Sequence, residues 1–104
     1  MSRIVFRPEA EADLTAIALH IAANSAARAH RVVTRLRSRC EILRQHPLAG
    51  RPRNELGEGL RSLSERPFVL IYRTMGDDVE IVAILHGARD LPAAIARRID
   101  RDDP

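Results

Sequence analysis

The chain has 104 residues, 45% hydrophobic and 30% charged, which is room for one folded domain and too apolar a composition for disorder. The formal charge is +3, every basic residue is Arg, and the pI of about 10.3 points to an acidic partner, protein or nucleic acid. Phe6, Phe68 and Tyr72 are too few to recognise bases by rows of stacked rings, and the lone Cys40 excludes an internal disulfide or a CxxC metal site.

"MSRIVFRPEA" has no apolar signal region, and no apolar run approaches the ~18 residues of a membrane span, so the chain reads as cytosolic. Arg3–Arg7 alternates and predicts a short strand. Pro8 suits a helix start, and Glu9, Glu11 and Asp13 suit the positive end of its dipole. Ala10, Leu14, Ile17 and Ile21 recur at helical spacing to about Ala23. The opposite side carries Ala12, Ala16, Leu19 and Ala23, where a plain surface helix would be polar.

Asn24-Ser25 is a turn and cap signal. A second helix is expected from about Ala26 to Gln45, with Ala29, Val32, Val33, Leu36, Cys40 and Leu43 as its apolar stripe. Arg28, Arg31, Arg35 and Arg39 line one flank at the same spacing. The short break between the two helices favours a helical hairpin. His46–Gly59, with two Pro and three Gly, reads as a long loop. Strands follow at Leu60–Glu65, Pro67–Thr74 and Val79–His86, the last two apolar on both faces and therefore central. Met75-Gly76-Asp77-Asp78 is a hairpin turn, and Pro92–Arg101 reads as a short C-terminal helix within a 92–104 tail. The order β-α-α-β-β-β predicts an α+β domain spanning 1–104, a helical hairpin laid on an antiparallel sheet, with Leu36 and Ile81 in its core.

Three groups of residues invite a functional reading. His86, Arg89 and Asp90 form an acid/base cluster or are simply the end of a strand, with Asp90 as a cap or ion-pair partner. Arg51, Arg53, Arg61 and Arg73 form a phosphate-binding patch or a solvated face answering Glu55, Glu58 and Glu65. The Arg28/Arg31/Arg35/Arg39 flank beside an apolar stripe suits an acidic amphipathic peptide. Cys40 falls in the apolar stripe and reads as a core thiol. His20, His30 and His46 lack metal-ligand spacing. A Gly-rich phosphate loop, a serine elbow and a carboxylate pair are all missing, so neither metal nor cofactor is expected.

Four stretches in order, "FRPEAEADL", "RLRSRCEILRQHPLAGRPRNEL", "GLRSLSERPFVLIYR" and "VEIVAILHGARDL", resemble the RelE/ParE superfamily of toxins, and its ParE branch most closely. The resemblance runs from about Arg3 to Pro92. It implies a small toxin held inactive by a co-encoded ParD-like antitoxin, with which it forms a hetero-oligomer. ParE toxins act on DNA gyrase, whereas RelE toxins cleave ribosome-bound mRNA with basic residues and an acid/base group near the C-terminus. In the nuclease case the resemblance would assign Arg61, Arg73 and His86 to catalysis. This chain has no Lys and no aromatic residue after Tyr72, which favours the ParE role. A third possibility is a degenerate interaction module without toxicity. On the ParE reading Leu19, Arg28, Arg31, Arg35 and Arg39 would meet the antitoxin, and Arg51, Arg53, Arg89 and Asp90 would contact the target.

Overall fold

The structure, a computed structural model, describes residues 2–100. Strand β1 (Ile4–Phe6) leads into helices α1 (Pro8–Ala22) and α2 (Ala26–Glu41), and a 3₁₀ turn (Ile42–Arg44) ends the hairpin. Strands β2 (Arg51–Pro52), β3 (Arg61–Glu65), β4 (Phe68–Met75) and β5 (Asp78–His86) follow, then helix α3 (Leu91–Asp100). Residues 101–104, the end of the expected tail, lie outside the described residues.

The helices begin where their sequences say they should. Pro8 occupies the first turn of α1, with Glu9 and Glu11 beside it. Ser25 caps α2, its Oγ accepting from the Arg28 N–H at 3.1 Å. Arg37 on α2 grips Glu11 on α1 at 2.7 Å and lies over the Phe6 ring, joining the hairpin to β1.

The sheet order is β1-β5-β4-β3-β2. The α+β hairpin-on-sheet architecture is as expected, with two additions. The first strand joins β5 in parallel, so the sheet is mixed, antiparallel elsewhere. Arg3 holds that junction through its N–H and guanidinium to Asp78, at 3.0 and 3.2 Å. A two-residue strand, β2, also forms inside the stretch read as loop, at the sheet edge where Pro52 needs no ladder N–H.

Both faces of β4 and β5 are covered, which is why both strands are apolar throughout. The helical hairpin packs Leu14, Leu36, Cys40 and Leu43 against Leu70, Tyr72, Ile81 and Ile84. Helix α3 and the 53–60 loop pack Leu91, Ile95, Leu56 and Leu60 on Ile71, Val82, Ala83 and Leu85 of the other face. A bulge makes this possible: Ile71 pairs with Ala83 but Tyr72 with Ile81, so Val82 is an extra residue on β5. Val82 and Ala83 thus both lie under α3. Leu36 and Ile81 are fully buried, as expected.

Candidate functional site

His86–Asp90 is the way a strand ends. Gly87 N–H donates to the Pro67 carbonyl at 2.8 Å, the last rung between β5 and β4. Arg89 N–H then donates to the His86 carbonyl, and the chain turns. Asp90 is the cap of α3: its Oδ1 accepts from the Ala93 N–H at 3.2 Å. His86 Nδ1 accepts from the Ala88 N–H at 3.1 Å, and its ring stands edge-on to Phe68 at 5.8 Å. His86 and Asp90 are therefore engaged within the turn, while the Arg89 side chain is exposed.

Next to this turn lies an apolar cleft of about 340 Å³ between α1 and β5. Ile17, Ile21, Phe68, Ile84 and Leu85 form its floor and walls, and His20, His86 and Arg89 stand at its mouth. The cleft exists because β1 stops at Phe6 while β5 runs on to His86. Past that point two side chains take the ladder's place. Asp13 Oδ2 accepts from the Ile84 N–H at 2.9 Å, and Arg98 Nη1 donates to the Val82 carbonyl at 3.0 Å. Asp13 and Arg98 are themselves joined by two 2.7 Å bonds. The sequence carried one sign of this. Asp13 lies three residues from Ala10 and four from Ile17, on the apolar side of its helix, where a carboxylate needs a partner. Its partner on α3 left no local trace.

The candidate nuclease residues do not meet. Arg73 pairs with Glu80 at 2.8 Å, and Arg61 donates to the Gly50 carbonyl at 2.7 Å. His86 lies opposite Phe68, five residues along β4 from Arg73, about 17 Å at strand rise. Tyr72, between Arg61 and Arg73, is buried; its hydroxyl donates to the Pro47 carbonyl and accepts from the Gly50 N–H, both at 2.8 Å. Burial raises its pKa, against the Gly50 bond and the Arg61 charge, which lower it. This tyrosine holds a loop in place.

The expected target contacts are also dispersed. Arg53 is tied to Glu55 at 2.7 Å and to Ser62, while Arg51 is exposed on β2. Strand β2 lies three strands from β5, so Arg51 and Arg89 are separated by at least ~14 Å of sheet.

On the hairpin, Leu19 is 69% exposed. Arg28 and Arg31 are exposed, with no ion pair among the described residues. Arg35 and Arg39 instead pair with Glu65 of β3 at 3.0 and 3.6 Å, and Arg39 also donates to the Ser64 carbonyl. Since Arg37 faces α1 and the Arg35/Arg39 edge faces β3, the arginine row lies on the side of α2 away from α1. Leu19 does not adjoin it. Cys40 is buried, and burial pushes its thiol up to about 12, with Glu41 adding to the rise. It is a core residue rather than a nucleophile. Among the described residues, no group of His, Cys, Asp or Glu could hold a metal, and no helix is long and apolar enough to cross a membrane.

The family model for the ParE toxin of the type II toxin–antitoxin system parDE matches residues 4–91. This chain belongs to the ParE toxin family. It is 30% identical over 99 residues to toxin ParE3 of Caulobacter vibrioides, covering 94% of this chain and 99% of that protein. It is also similar to a chain of the chromosomal ParDE toxin–antitoxin system from P. aeruginosa, with a TM-score of 0.73 and 28% identity over 83% of this chain and 96% of that one. The ParE match takes in the hairpin, the whole sheet and the strand-to-helix turn. Arg98, which closes the edge of β5, lies beyond it.

Proposed function

We propose that this ParE-family toxin acts in the cytoplasm by binding and inhibiting DNA gyrase, and that a co-encoded ParD-like antitoxin neutralises it as a hetero-oligomer. The observation that carries this over the ribonuclease reading is the separation of Arg61 and Arg73 from His86, with both arginines already bonded to neighbours. Proton transfer and phosphate neutralisation need such groups within hydrogen-bond reach of one substrate. A binding inhibitor needs only surface. Arg51 and Arg89 remain exposed for target contact, as Leu19, Arg28 and Arg31 do for the antitoxin. An acidic segment that folds on binding gives up ~2–5 kcal/mol in ordering, offset by apolar burial and Arg–carboxylate bonds.

The test is expression without the antitoxin. The expected result is filamentation and a DNA-damage response with mRNA intact, and inhibition of supercoiling by purified gyrase that survives His86→Ala. Codon-positioned mRNA cleavage that collapses in His86→Ala, with gyrase untouched, would establish the ribonuclease instead.

A further inference from the structure

We propose that the cleft between α1 and β5 seats an acidic amphipathic peptide, with apolar side chains entering between Ile17, Ile21 and Phe68 and carboxylates meeting Arg89. This rests on the reading above, and the peptide is taken to be a segment of the antitoxin. It places the antitoxin on a surface separate from the arginine row of α2.

Size and lining come first. At about 340 Å³ the cleft falls within the ~300–1,000 Å³ of ligand-sized pockets, and its walls are apolar. Charge decides the occupant. Asp13 is the acidic residue among those lining the cleft, and both its oxygens are held by Arg98, so an incoming carboxylate meets no uncompensated negative charge. Arg89 stands exposed at the mouth, with no ion pair among the described residues. It also borders a second, polar pocket of about 210 Å³ that includes Arg97, so the positive field continues past the apolar floor. An occupant with apolar side chains and acidic neighbours matches both parts.

The approach is open too. Ala16 lines the cleft and is the helical neighbour of Ala12, Leu19, His20 and Ala23. Three of these positions are thus alanines, with no side chain beyond Cβ to hold a partner helix away. Exposed Leu19 adds an apolar contact at the same ridge. The unusual alanine side of the first helix thereby acquires a use: it is the ramp into the cleft. Anchors at i, i+3 and i+4 of a docked helix would reach Leu19, the mouth and the floor in turn.

The experiment is calorimetry of full-length toxin with its co-encoded antitoxin, using Ala16→Glu, Ala16→Trp and Arg89→Glu. Asn54→Glu, which adds the same charge in an exposed turn, is the control, and circular dichroism accompanies every variant. The first two block the mouth by charge and by bulk, so one unfolded variant does not end the test. The expected result is Kd raised about tenfold or more by each folded cleft variant and less than about twofold by the control. Wild-type binding left unchanged by all folded cleft variants would overturn this assignment and leave the antitoxin reading standing. No binding to wild type would overturn both. A toxin that dimerises alone in sedimentation, and becomes monomeric with Ala16→Glu, would give the cleft to a second copy and overturn the proposal.

Discussion

Asp13 and Arg98 are 85 residues apart in sequence and share two 2.7 Å hydrogen bonds at the edge of β5. Their side chains are only 12% and 16% exposed. Each also holds a backbone group that β1 is too short to reach. The pair therefore finishes the sheet edge and ties α1 to α3. Removing one partner leaves the other charge poorly solvated, so Arg98→Ala should cost ~3 kcal/mol in a denaturant melt. Arg98→Lys should recover only part of this, because an ammonium cannot reproduce the two-pronged bond. The Arg37–Glu11 pair, with both side chains 47% exposed, supplies the contrast: Glu11→Ala should cost ~0.5 kcal/mol. Equal losses at the two pairs would refute this account.

Tyr72 and Gly50 make a second long-range clasp. The phenol bonds both Pro47 and Gly50, and a Cβ on Gly50 would come within 2.7 Å of the Tyr72 ring and of the Ser62 carbonyl. Tyr72→Phe strands the Gly50 N–H and should cost ~1–3 kcal/mol. Gly50→Ala should cost at least as much, since the ring is buried and has nowhere to retreat. If Tyr72→Phe melts like wild type, water replaces the hydroxyl and the loop is held by other contacts.

The helices and the three long strands were legible because each is written in local periodicity. The Leu36 and Ile81 positions, the Ser25 cap and the Asp77-Asp78 turn follow from neighbours a few residues away. The parallel seat of β1 was not legible, since a three-residue strand has no pattern that selects its partner. Asp13–Arg98 and Tyr72–Gly50 were hidden for a related reason: their partners lie on other elements, and nothing in the local sequence names them. The arginine row misled in part. Its helical spacing was right, but spacing could not say that Glu65 of β3 would hold Arg35 and Arg39. The cleft is more hidden still, being the space left where β1 ends and β5 continues.

Cys40 gives a simple test of the helix-to-sheet packing. Its thiol is buried and pushed up to about 12, so it is protonated at neutral pH. A water-soluble disulfide reagent should fail to modify the native toxin at pH 8 and react fully once denaturant unfolds it. Rapid modification under native conditions would mean that α2 opens locally from the sheet.

Acid should loosen the β1 junction. The Arg3 N–H and then its guanidinium hold the Asp78 carboxyl below its ordinary value. A carboxylate whose folded pKa is depressed stabilises the fold above its unfolded pKa, and that contribution is lost as pH falls through the folded value. Asp78→Asn should therefore melt below wild type at pH 7, and the two should converge below about pH 3. A gap that persists at pH 2 would show that Asp78 acts through packing or turn geometry rather than charge.

The arginine row of α2 should divide by role. Arg28 and Arg31 are exposed, whereas Arg35 reaches Glu65 of β3 at 3.0 Å and Arg39 reaches the same carboxylate and the Ser64 carbonyl. The Arg35 side chain is half-exposed, so its ion pair stabilises weakly, by ~0.5 kcal/mol when simply removed. Charge reversal is harsher, because Arg35→Glu sets a like charge against Glu65. Arg35→Glu should therefore lower the melting temperature of the free toxin, and Arg35→Glu with Glu65→Arg should restore much of it. Arg28→Glu/Arg31→Glu meets no carboxylate partner among the described residues and should leave the melt nearly unchanged. If an acidic antitoxin segment crosses this flank, the same double variant should weaken binding at low salt, with the difference fading as salt screens it. Unchanged affinity at low salt would remove Arg28 and Arg31 from the antitoxin contact, leaving the α1–β5 cleft as the surface to test.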